Sequence, residues 1–236
     1  MILRDAESNY VATKYLLWRL YDYNYTSIHE VWGFLRCGRV DCFWVFTYVS
    51  IARNSWFDFF RDAFSDLGGS RASDPWIYYT SLVISSIALL PLSLHIIATS
   101  RNRIGVVSGS YFSVASIFLA LIAIYPAGTR PHVFVSTWFF VQAFLSILIY
   151  GFSRVDNPKI LIASLAIFVL AILGTLIKRS SAACLETYEI SLLTIFAVIY
   201  DIESRELFSR RELGKVLYNG SFDLIILLDV SLNRSY

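Results

Sequence analysis

The chain has 236 residues, 56% of them apolar and only 16% charged, with a net charge of +2. Soluble domains carry roughly 25% charged residues, so an ordinary soluble domain is excluded, and a charge balance this close to zero gives no electrostatic footprint for a nucleic-acid partner. Aromatics at 17%, with five prolines and eleven glycines, also exclude a disordered or low-complexity chain. The class that fits is an all-α, polytopic transmembrane helix bundle whose main partner is the lipid bilayer.

In chain order, the first fifteen residues contain Arg4, Asp5, Glu7 and Lys14 and lack the apolar run of a secretory signal, so insertion is expected to rely on an internal helix. Tyr10–Tyr25 mixes leucines and Trp18 with five tyrosines, a composition suited to the headgroup zone. Ser27 with Glu30 reads as a capping box that starts a helix near Ile28. We draw this first span from about 28 to 53, with Arg36, Arg39 and Asp41 held at the membrane face because charge at a span centre is expensive.

The next segment, NSWFDFFRDAFSDLGGSRASDP, repeats Trp56, Phe60, Ala63, Phe64 and Leu67 at helical spacing opposite Asp58, Arg61, Asp62 and Ser65. That pattern predicts a short amphipathic surface helix, capped at Gly68 and Gly69. Trp76–Ala98, Ile104–Pro126, Val133–Phe152 and Ile160–Ile177 are uncharged and close to the roughly 20 residues a bilayer core requires. Ala182–Tyr200 also qualifies but carries Glu186 and Glu189 in its first two turns. Asp74-Pro75 and Asn157-Pro158 mark helix starts, as does Pro131. Gly105, Gly109 and Ser113 form a small-residue seam for a neighbouring helix. The count is six spans, with five as the alternative. The domains are then an N-terminal interfacial segment at 1–27, the six-helix domain at 28–202 and a cytoplasmic tail at 203–236.

With six spans, fourteen of the twenty Lys and Arg residues fall on the side of the N-terminus and six on the other. The positive-inside rule then puts both termini in the cytoplasm of a cell-membrane protein. If the first span does not cross, the division is eleven to nine and orientation is undecided. Cys37, Cys42 and Cys184 contain no CxxC and read as small apolar residues.

The stretch Asp62-Ala63-Phe64-Ser65-Asp66-Leu67-Gly68 resembles the signature loop of the domain-of-unknown-function 998 family. Two further features fit the resemblance: the Tyr125-Pro126-Ala127-Gly128-Thr129-Arg130-Pro131-His132 turn and Glu186 early in the last helix. The likeness covers roughly residues 40–202. It implies a small multi-span membrane protein of a largely archaeal family with no established activity.

The polar residues that need explaining gather at one predicted end of the bundle. Asp66, His132 and Glu186 are the candidates for a catalytic role, and Asp62, Ser65, Arg130, Arg179 and Glu189 for ligand binding. Intramembrane carboxylates need a partner or a cavity, and Glu186 and Glu189, three residues apart, share a helix face. Pairing among these charges, fixing the loop and helix ends, is the leading reading. A lipid-headgroup binder or membrane enzyme at the outer leaflet is the second, and a small-solute transporter the third. With His29 and His95 predicted on the opposite side from His132, no metal site is expected. No P-loop, GxGxxG or nucleophile elbow calls for a cofactor.

Overall fold

The structure is a computed structural model that describes residues 39–177 and 180–233, with side chains over 42–177 and 180–209. Among the described residues it contains helices and no strands. Helix α1 is Arg39–Arg53, α2 Pro75–Thr99, α3 Arg103–Ile124, α4 Arg130–Ser153, α5 Pro158–Leu176 and α6 Ala182–Asn233, with a 3-10 helix at Phe64–Gly68 between α1 and α2. Five of these are long and apolar enough to cross a membrane: α2 to α5 and the Ala182–Ser209 part of α6. Helix α1 has 15 described residues, about 22 Å at 1.5 Å per residue, against a bilayer core of about 30 Å. The sixth span would therefore need the segment from Ile28, which lies outside the described residues together with the N-terminal interfacial segment.

Consecutive helices pack as antiparallel hairpins. Ser108 near the start of α3 and Ser146 near the end of α4 each donate to the other's carbonyl, at 2.9 and 2.7 Å. Asn102, the N-cap of α3, accepts from Gly105 N at 2.9 Å and donates to Ser153 O at the end of α4 at 2.8 Å. Tyr188 of α6 donates to Leu170 O of α5 at 2.9 Å. The small-residue seam is real at Gly109, where an added Cβ would meet Ser93 O of α2 at 2.8 Å, and at Ser113, whose hydroxyl donates to Ser93 Oγ at 2.8 Å. Gly105 instead makes room for Ser100 of the preceding turn.

The helix starts fall where the prolines place them, but two caps work differently from expectation. Asp74 makes no side-chain cap bond, because its carboxylate is taken by Arg53 Nε and Nη2 at 3.0 and 2.8 Å. Asn157 caps α5 through its backbone carbonyl, which accepts from Ile160 N and Leu161 N. Ile87, Leu94, Ile117, Val133, Ile162 and Leu176 stand exposed along the spans, the arrangement expected of side chains that face lipid tails. The buried side holds small hydroxyls such as Ser81, Ser108, Ser116 and Ser146.

Helix α6 runs unbroken for 52 residues to Asn233, through the boundary expected at 202. Two compact units divide inside it, the first ending at Leu193 and the second starting at Thr194. Within the second, Phe196 stacks on Tyr200 with ring centroids 6.3 Å apart, and Arg205 pairs with Asp201 at 2.9 Å.

Candidate functional site

The segment between α1 and α2 corrects one expectation. Residues 54–63 are turns rather than a helix, and the helical part is the five-residue 3-10 helix Phe64–Gly68. The cause is the supply of short acidic side chains, which compete with helix carbonyls for backbone donors. Asp58 Oδ1 accepts from Phe60 N at 2.9 Å, Asp62 Oδ2 from Asp58 N at 2.7 Å, and Asp66 Oδ2 from Ala63 N at 2.8 Å. The aromatic periodicity still produces a cluster, centred on Phe64. Its ring lies 6.0 Å from Phe57, 6.1 Å from Phe59 and 6.2 Å from Trp44 of α1. Phe64 and Leu67 are buried, whereas Phe60, expected on the inner face, is exposed.

A buried asparagine anchors the near end of the segment. Asn54 donates to Ser50 O at 2.8 Å, while its Oδ1 accepts from Trp56 Nε1 at 3.2 Å and from Ser73 N at 2.8 Å. At the far end Gly68 packs so tightly on α2 that an added Cβ would collide with the Tyr79 ring and crowd Tyr78, and Tyr79 OH donates to Gly68 O. Gly69 caps the 3-10 helix in extended geometry.

Between these anchors the segment docks on the start of α6. Ser181 Oγ donates to Phe59 O at 2.6 Å, Ala183 N donates to Asp62 O at 3.1 Å, and Phe64 N donates to Glu186 Oε2 at 2.7 Å. Glu186 and Asp66 thus accept from the successive backbone amides of Phe64 and Ala63. Asp66 and Glu189 lie within electrostatic reach of Glu186, and the Tyr78 hydroxyl lies within reach of Glu186 and Asp66. This is a clamp. The Glu186 carboxylate, the Ser181 hydroxyl and the Ala183 amide hold an irregular loop, braced internally by Asp66, against the first turns of a membrane helix whose own early amides lack intrahelical partners.

The hairpin order puts the α1–α2 loop, the turn after α3 and the start of α6 at one end of the bundle, so Asp66, His132 and Glu186 share that end. Asp66 and Glu186 serve adjacent amides of the same loop, but the hydrogen bonds of His132 go elsewhere. Its Nδ1 lies 2.8 Å from Tyr125 O; a carbonyl only accepts, so Nδ1 carries the proton and donates. His132 N also donates to the Thr129 hydroxyl that caps α4. The imidazole closes the α3–α4 turn. Asp62 serves the loop, Ser65 is half-buried and Arg130 is exposed. Glu189 is buried on the inner side of α6. Arg179 and Lys178 lie outside the described residues. Among the described residues, Asp66 and Glu186 accept from backbone amides and no ion pair joins either to Arg130; the expected pairing with Arg179 lies outside the described residues. No group of three or more His, Cys, Asp or Glu there is placed to hold a metal ion. The sequence reading missed Asn54, Tyr78 and Tyr79; Asn54 at the end of a first span, where a helix must stop, was the available signal.

A family model described as protein of unknown function (DUF998) matches residues 42–201, well over half of the sequence, and the chain belongs to that family. No match was found among curated proteins or among solved structures.

Proposed function

We propose, taking that membership as the premise, that this integral membrane protein is of structural or accessory type and that its end cluster fixes the fold. The supporting observation is the use of the Asp66 and Glu186 carboxylates as acceptors for the Ala63 and Phe64 amides. A carboxylate committed in this way is a fastening, and His132 is committed to its own turn. We further place the clamp on the extracytoplasmic side and both termini in the cytoplasm, which follows if α1 continues upstream far enough to cross and the Lys and Arg asymmetry sets orientation. The 28–202 bundle and the 203–236 tail are then the working domains.

The test is to prepare Asp66→Ala, His132→Ala and Glu186→Ala, which remove the hydrogen-bonding groups outright, and to measure thermal stability and co-purifying lipid for each. Lower stability with unchanged lipid is the expected result. Intact stability with altered lipid would overturn this reading in favour of a lipid-headgroup binder or an enzyme acting on lipid.

A further inference from the structure

The outer face of the same loop carries a second arrangement, which the clamp does not use. Arg71 lies over the Trp56 ring, its Cζ 4.3 Å from the centroid. The ring is itself fixed, because Trp56 Nε1 donates to Asn54 Oδ1 and Asn54 is 2% exposed. Asn54 also accepts from Ser73 N, so the indole under Arg71 and the backbone two residues after it are tied to one buried side chain. Arg71 is exposed, and no carboxylate among the described residues pairs with it.

The loop's own acids are occupied. Asp74 binds Arg53, Asp58 faces Arg61 at 3.4 Å, and Asp62 and Asp66 accept backbone amides. The loop therefore turns its carboxylates to internal donors and leaves a planar guanidinium, preorganised on an indole, directed outward. Trp76, the second residue of α2 and 61% exposed, marks the level at which the apolar span begins. Arg71 sits five residues before it, at headgroup depth, where tryptophan is enriched and where the fork of an arginine matches phosphate oxygens two at a time.

We propose that the Arg71–Trp56 stack is a platform for the phosphate of an anionic phospholipid headgroup in the leaflet at this end of the bundle. Stacking holds the side chain in place, so little rotamer freedom is lost on binding, and the contact is independent of the role assigned to Asp66 and Glu186.

The full chain in nanodiscs of equimolar phosphatidylglycerol and phosphatidylcholine, followed by native mass spectrometry of retained lipid, tests this. Wild type should retain phosphatidylglycerol over phosphatidylcholine by about fivefold, the factor equivalent to about 1 kcal/mol per basic residue near an anionic surface. Arg71→Ala should return the ratio to near parity, and Arg71→Lys, which keeps charge but loses the fork, should fall between. Arg61→Ala, on the same loop but facing Asp58, should keep the wild-type ratio. An unchanged ratio in Arg71→Ala, or an equal loss in Arg61→Ala, overturns the assignment. Displacement of phosphatidylglycerol by millimolar inorganic phosphate would identify a free-anion site and overturn the lipid assignment as well.

Discussion

Replacing Glu186 by alanine removes the acceptor for Phe64 N–H at a residue that is 3% exposed. A buried donor left without a partner costs about 1–3 kcal/mol. Taking about 2 kcal/mol, and a factor of ten for each 1.4 kcal/mol, the loop should open about thirtyfold more often. Glu186→Gln keeps an oxygen in the same place and should lose much less. Limited trypsin cleavage after Arg61 in nanodiscs reads the opening directly. Arg61 N and Asp62 N both bond Asp58 O at 3.0 and 2.9 Å, so the peptide must leave its turn to enter a protease. Where the loop recloses faster than it is cut, the cleavage rate follows the open population. The expected order is alanine far faster than glutamine, with glutamine close to wild type. Equal cleavage in all three proteins, or glutamine as fast as alanine, would refute the assignment of Glu186 as a backbone acceptor.

Three further outcomes follow from the packing. Gly109→Ala drives a methyl against Ser93 O and Ile97 N of α2, and backbone cannot rotate aside, so overpacking of about 1–3 kcal/mol should lower the thermal midpoint; an unchanged midpoint would show that α2 and α3 do not meet there. Leu67→Ala, at a side chain 0% exposed, should cost about 2–5 kcal/mol through the cavity it leaves, measured by thermal unfolding of the full chain in detergent. In a background lacking the native cysteines, cysteine at the exposed positions Ser70 and Asp156 should react with an impermeant maleimide from opposite sides of sealed vesicles. Reaction of both from the same side would defeat the hairpin order and the sidedness built on it.

Much of the bundle was legible because the bilayer imposes a length and an apolar composition that a sequence displays openly. Spans α2 to α5 fall within three residues of their expected limits at each end, and Pro75 and Pro158 start helices because a missing N–H is harmless in a first turn. The α1–α2 loop was misread for an equally physical reason. The spacing of Trp56, Phe60 and Phe64 suits a helix, but periodicity says nothing of the Asp58, Asp62 and Asp66 side chains that claim the backbone donors first. The common end of Asp66, Glu186 and His132 was readable from hairpin counting. The joining of only two of them was not, because it depends on His132 turning back seven residues to Tyr125.

Four interior serines have a consequence of their own. Ser81, Ser86, Ser116 and Ser153 each return their hydroxyl to a carbonyl three residues earlier on the same helix. Each hydroxyl is spent within its own helix, unlike those of Ser108 and Ser146, which hold α3 to α4. Such positions demand smallness and little else, so drift to alanine there should leave the bundle intact, while the reciprocal pair should resist it. The interior can thus look polar in composition and still be held together chiefly by fit.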